Sequence, residues 1–205
     1  MSDTEYPPQP WHLRGHMHAS AWIVPAHLLP ELPPGVRPLT VAGRAVVIAA
    51  WVDYRPPGVL SYRELMVTVA VRSGPAVTIP HIWVDSPVSL AGGRALWHIP
   101  KELAEFTLTD APDFDAEARA GGMPLAGARF GRRRPLPFRL PLAFAVRQRG
   151  PLRSRVRLTA RLGLAHSAWR VAEGGPLAFL AGRRPLVSVV ARDFRMRFGG
   201  GRGAG

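Results

Sequence analysis

A chain of 205 residues with 47% apolar and 20% charged side chains has the composition of one folded domain, able to bury about 70% of its unfolded surface. Its formal net charge is +13, and its zero cysteines exclude disulfide staples and thiolate metal sites and suit a reducing, cytoplasmic setting. The longest apolar run, AVVIAAWV at 45–52, is far short of the roughly 20 residues of a membrane-spanning helix, and the acidic, proline-rich start MSDTEYPPQPW has no signal-peptide form.

Read in chain order, HLRGHMH is extended and sets His12, His16 and His18 on one strand face together with Arg14. Three histidines make a metal conceivable there, but no acidic or thiolate fourth ligand is nearby, so a polar pocket edge is expected and no metal. PAHLLPEL at 25–32 predicts a short helix that prolines stop. Two β-branched and aliphatic strands, 39–54 and 59–73, flank the turn RPPG and predict a hairpin, with a third strand at 76–84. DSPVSLAGG at 85–93 predicts a second short helix, with Ser86 as N-cap, Pro87 at the first helical position and glycines as the stop.

After it, Lys101 falls in a turn, and 110–124 reads as an acidic excursion. At 152–164, Leu152, Val156, Leu158, Ala160 and Leu162 alternate with Arg153, Arg155, Arg157, Thr159 and Arg161, and Ser154 is the polar exception. This predicts a half-buried strand with a cationic outer face. A strand at 185–198 closes the sheet, and the tail 199–205 is expected to be disordered. The whole predicts a mainly β (α+β) single domain over 1–198, closed into a barrel or sandwich.

Charge is uneven along this plan. Residues 1–120 hold 9 basic and 12 acidic side chains, whereas 121–205 hold 18 arginines against Glu173 and Asp193 alone. Solvated strand faces account for such an excess, and an anionic partner is the alternative.

Of the 27 basic residues, 26 are arginine and one is Lys101, in ALWHIPKELAEF. Arginine keeps its proton in a protein, whereas lysine gives it up in a low-dielectric pocket. An exposed lysine is less than roughly 0.1% free amine at pH 7, so attack on a carbonyl requires its pKa to fall by about 3 to 4 units. Leu96, Trp97, Ile99 and Leu103 offer the apolar wall for that. From the residues alone, a nucleophilic amine and a solvated turn lysine both stand.

GGRALWHIPKELAEF resembles the catalytic segment of the acetoacetate decarboxylase family, a glycine–arginine pair followed by apolar residues, a proline and the Schiff-base lysine. YPPQPWHLRG, YRELMV and RPLVSVVARDFRM are similar to further blocks of that family, in its order. The resemblance implies a cone-like antiparallel β-barrel with two short helices here, in a homo-oligomer. It implies Lys101 as the Schiff-base residue, Glu64 as an active-site glutamate and Arg14 as the substrate-carboxylate arginine; from the residues themselves, Tyr62 and Trp97 are candidate substrate-cavity walls, with plain core positions the alternative.

Two departures stand out. Glu102 occupies the place of a second lysine in the family prototype, and no carboxylate falls near Ala49–Trp51, where a second glutamate is expected; Asp53 lies two residues beyond. Consecutive residues of an extended segment point apart, so Glu102 is expected to face outward and desolvation to activate Lys101 alone. The resulting expectation is a lyase that decarboxylates a small β-keto acid through an imine, without a cofactor, a nucleic-acid partner or a membrane. The alternatives are an aldolase or dehydratase acting on pyruvate-type keto acids through the same imine, and a non-catalytic module binding an anionic partner.

Overall fold

The run AVVIAAWV loses its alternation where both faces are covered, from Ala49 to Val52, while Val46 near its start is exposed. In the computed structural model, which describes residues 4–72, 74–149 and 153–200, the run lies at the centre of the sheet. The strands are β1 (Trp11–Pro25), β2 (Thr40–Val41), β3 (Arg44–Tyr54), β4 (Tyr62–Ala70), β5 (Ala76–Val84), β6 (Lys101–Leu103), β7 (Glu105–Thr109), β8 (Phe114–Ala120), β9 (Met123–Arg147), β10 (Arg153–Val171) and β11 (Val187–Phe198). One α-helix, α1 (Pro87–Trp97), stands between β5 and β6.

The strands are hydrogen-bonded in the order β6-β5-β4-β3-β1-β11-β10-β9-β8-β7, with β2 beside β3. A short parallel pairing, Ala76 with Ala145 and Val77 with Val146, joins β5 to the end of β9. The path β5-β4-β3-β1-β11-β10-β9 thereby returns to its start as a closed ring of seven strands, while β8 and β7 continue from the other end of the long β9. Gln148, fully buried just past β9, strengthens the seam: its side-chain oxygen accepts from the Thr78 hydroxyl (2.7 Å) and Ile79 N–H (3.3 Å), and its amide donates to the Ile79 carbonyl (2.9 Å).

Two apolar cores use opposite faces of the same strands. Leu13, Ala50, Val52, Tyr54, Tyr62, Ile82 and Val84 belong to one, with Val156, Leu158 and Phe194 across the ring. Trp22, Ala49, Trp51, Leu65, Val67 and Trp83 belong to the other, covered by Phe114, Ala116, Phe130 and Leu180. His18 lies in this second layer, its ring stacked on Phe114 at 3.7 Å, and burial drives its pKa down to about 3 against the pull of Asp110.

Several expectations are revised. The segment 25–32 forms only a 3₁₀ turn, Ala26–Leu28. Gly92 and Gly93 do not end α1, which runs to Trp97 and is capped by His98 in the left-handed region at φ 53°. The segment 110–124 supplies β8, because Phe114, Ala116 and Ala118 alternate into the second core. The 25-residue β9 was not foreseen from sequence, since its prolines and glycines mask its alternation. The cationic face of β10 is as expected, with Arg153, Arg155, Arg157 and Arg161 exposed and Val156, Leu158 and Ala160 buried. Leu152 and the tail from 201 onward lie outside the described residues.

Two outcomes follow from this packing. Gln148→Ala leaves buried partners on Thr78 and Ile79 unsatisfied and should cost about 3 kcal/mol in a denaturant titration with an unchanged slope. The His18 imidazole titrates near 6.5 when unfolded and near 3 when folded, so the unfolded state binds the extra proton and stability falls as pH drops from 6.5 toward 3. His18→Gln should flatten that limb of the stability–pH curve, by an amount on the order of 4 kcal/mol at its acid end.

Candidate active site

The site is assembled by α1 and the turn that follows it. Ser86 caps the helix by accepting from Ser89 N–H (3.1 Å), and Pro87 needs no donor at the first helical position. At the other end His98 N–H returns to Arg94 and Gly93 carbonyls, Ile99 N–H also reaches the Gly93 carbonyl (3.1 Å), and the chain turns into β6. There Lys101 lies beside Ile82 of β5 in parallel register, and Arg94 Nε donates to the Lys101 carbonyl at 2.8 Å. Gly93 is required by this arrangement: a Cβ there would sit 2.8 Å from Lys101 Cδ and Cε. Gly92 is required by a second contact, where a Cβ would meet the ring of Trp11 at 2.5 Å.

Lys101 is therefore threaded into the first core, 4% exposed. Its Nζ donates to Glu64 Oε2 at 2.9 Å, Ser89 Oγ at 2.8 Å and Tyr62 OH at 3.3 Å, and lies 4.9 Å from the centre of the Tyr62 ring. Glu64 is equally buried at 3%, and its other oxygen, Oε1, accepts from Tyr54 OH at 3.0 Å. Tyr54 and Tyr62 are cross-strand partners with stacked rings 4.4 Å apart.

The electrostatics differ from the expectation of desolvation acting alone. Burial lowers the Lys101 pKa, but the Glu64 carboxylate, with Tyr62, more than reverses it, so the pKa stands above its ordinary value. At rest the pair is an ammonium and a carboxylate. Burial, then Glu64, also push Tyr62 up to about 12, and Tyr54 is raised well above its usual range for the same two reasons. Both phenols are neutral hydrogen-bonding groups at physiological pH.

Of the residues singled out in the sequence, Lys101, Glu64 and Tyr62 are brought together. Trp97 is buried nearby but packs edge-on to Trp11 (4.8 Å) and Phe198 (4.6 Å) and donates to Gln9 (3.1 Å), anchoring the end of α1. Arg14 is exposed and directly opposite Arg195 on the outer face, because Trp11 and Leu13 take the inward positions of β1. Glu102 faces away from the amine, as expected from parity, and accepts from Trp83 Nε1 at 3.0 Å. Asp53 pairs with Arg55 at 2.6 Å and shares the odd-numbered face with Trp51. No group of three potential ligands suited to a metal occurs among the described residues: His12 is exposed, His16 lies by Asp193 (3.9 Å), and His18 is buried on Phe114.

Two members of the cluster, Ser89 and Tyr54, were missed from sequence. Each had a signal. Ser89 stands four residues before Gly93 and so on the same helix face, and Tyr54 ends the strand that runs into RPPG, across the 55–61 connection from Tyr62.

The fold and site define a β-rich domain closed around one buried lysine–glutamate pair. The sequence profile of Acetoacetate decarboxylase (ADC) matches residues 2–146. The chain belongs to the acetoacetate decarboxylase family. Its structure is similar to an acetoacetate decarboxylase from Legionella pneumophila, with a TM-score of 0.73 and 18% identity over 96% of this chain and 88% of the other. It is also similar to the enduracididine biosynthesis enzyme MppR complexed with pyruvate (TM-score 0.65, 19% identity, 98% and 92% coverage). A third likeness is to an acetoacetate decarboxylase-like enzyme from Sphingomonas wittichii (TM-score 0.62, 17% identity, 95% and 92% coverage). Among curated proteins, no sequence matches the chain significantly.

Removing the carboxylate leaves burial as the dominant influence on the amine. Glu64→Gln should therefore shift the Lys101 pKa downward, read from the pH titration of the Lys101 side-chain resonances by NMR.

Proposed function

We propose that this protein is a lyase that joins Lys101 to a small keto acid as an imine and decarboxylates a β-keto acid of the acetoacetate type. The observation that carries the reading is the buried Lys101–Glu64 pair at 2.9 Å in a chain with no other lysine. A lone surface cation needs no such burial, and burial of two charges is costly unless they are paired.

The resting pair gives the reaction a defined start. Approach of a ketone displaces a hydrogen bond from the ammonium, and the proton passes to Glu64 Oε2, leaving a neutral amine and a carboxylic acid. The amine attacks the carbonyl carbon; a C–N bond forms and the oxygen becomes a hydroxyl. Glu64 returns its proton to that hydroxyl, water leaves, and the nitrogen is left as a protonated imine. Of the three ammonium protons, two depart with water and one remains on the imine, so the carboxylate of Glu64 is regenerated. The positive nitrogen then draws the electron pair of the C–C bond to the substrate carboxylate as CO2 leaves. The enamine takes a proton on carbon, and water hydrolyses the imine.

Aldol or dehydration chemistry on a pyruvate-type acid is the second reading. The similarity to MppR, described with pyruvate, favours it, as does a second glutamate being absent from 49–51. A non-catalytic module for an anionic partner has the arginine face of β10 in its support but gives the buried amine no task.

Borohydride reduction in the presence of acetoacetate or pyruvate should leave a stable adduct on Lys101. CO2 release from acetoacetate, against condensation of pyruvate with an aldehyde, separates the two reactions. Lys101→Arg keeps the charge and loses the nucleophile; its adduct and turnover should fall below detection while circular dichroism stays that of the parent. Turnover retained in that folded variant would overturn the imine reading.

A further inference from the structure

The three N–H bonds of the Lys101 ammonium have three acceptors: Glu64 Oε2, Ser89 Oγ and Tyr62 OH. An imine nitrogen carries one N–H. Two of the three acceptors therefore lose their donor when the imine forms, and the charged carboxylate, the strongest acceptor, keeps the remaining proton. This leaves two hydroxyls, one fully buried on α1 and one 6% exposed on β4. A buried hydroxyl left without a partner is costly, and the new polar group bonded to the same carbon as the nitrogen is the oxygen of the former carbonyl.

That oxygen appears in the right place. In the carbinolamine it is bonded to the same carbon as the nitrogen, about 2.4 Å from it for single bonds near 1.45 Å. Ser89 Oγ, 2.8 Å from the nitrogen at rest, comes within donating distance of that oxygen when the carbinolamine turns it toward α1. Ser89 is held for this task on two sides. Its backbone N–H is fixed by the Ser86 cap at 3.1 Å, and the lysine stem is seated one turn further along the same helix face against Gly93. Its hydroxyl also helps lower the pKa of Tyr62 against burial.

We propose that Ser89 is a catalytic hydroxyl of imine formation, accepting from the Lys101 ammonium at rest and donating to the carbonyl-derived oxygen as it gains charge and departs as water. Tyr62 supports the same oxygen from β4, and Glu64 supplies the proton that leaves with it. No proton is consumed by Ser89: its hydroxyl donates a hydrogen bond throughout and is unchanged at the end. The inference rests on the imine reading, and it predicts that Ser89 acts before the C–C bond breaks.

The experiment is timed borohydride quenching of the full-length protein with pyruvate and with acetoacetate, the Lys101 adduct being counted by mass spectrometry. Ser89→Ala should slow adduct formation about 100-fold, the effect of removing one donor from a developing oxyanion. Ser89→Thr keeps the hydroxyl and should recover the rate to within about tenfold of the parent. If circular dichroism finds the Ala variant unfolded, Ser89→Cys, close in shape and a weak donor, takes its place with the same expected loss. Trapping of the Ala or Cys variant at the parental rate overturns the role of Ser89 while leaving the imine reading standing. A Thr variant as slow as the Ala variant overturns it too, since packing rather than the hydroxyl is then at stake. A parent protein that gives no adduct with either acid overturns the imine reading itself.

Discussion

The burial of one ammonium against one carboxylate is the constraint around which the rest is arranged. Removing two charges from water costs several kcal/mol for each, and their attraction offsets this only where the remaining donors and acceptors are also satisfied. Here they are satisfied by elements far apart in sequence: Tyr54 from β3, Tyr62 and Glu64 from β4, Ser89 from α1 and Lys101 from β6. These positions can converge only if β3, β4 and β5 are in register, α1 packs over them, and the chain returns to lie parallel to β5. The seven-strand ring supplies the buried, apolar surroundings that make the pairing strong and its loss expensive.

Strand parity divides the labour. On β3 and β4 the even positions, Tyr54, Tyr62 and Glu64, look toward the amine, and the odd positions, Trp51 and Leu65, pack the second core. A slip of one residue in β4 would exchange its two sets and place Leu65 where Glu64 belongs. The second core is thus more than filler: by burying Trp51, Leu65, Val67 and Trp83 under β8 and β9, it holds the register that keeps the carboxylate on the amine's side. Parity also decides the two charges that lie outside the site. Arg14 is turned out because Leu13 is turned in, and Glu102 is turned to Trp83 because Lys101 is turned to Glu64.

Much of this was legible in the sequence, for definite reasons. The strands of the hairpin and the cationic alternation of β10 are local patterns, and the single lysine among arginines is a compositional one. The two glycines after SPVSLA were read as a helix stop because glycine usually serves so. Their real cause is tertiary, the close approach of Trp11 and Lys101, and no local rule contains it. Arg14 was carried into the site by resemblance, and the parity of its own strand, readable from Trp11 and Leu13, argued the other way. The raised pKa of Lys101 needed the third dimension: the sequence suggests an apolar wall around the lysine, but not that a carboxylate reaches it at 2.9 Å.

A chain whose other cations are all arginine, and whose one lysine is 4% exposed and engaged by three acceptors, has a side effect unconnected with its site. Reactions that mark proteins through lysine side chains, such as acetylation, ubiquitin-type conjugation and amine crosslinking, find a single acceptor in this sequence, and folding closes it. The guanidinium-covered surface is charged yet offers no lysine amine, so the folded protein is invisible to lysine-directed labelling, and only unfolding would uncover a site for it.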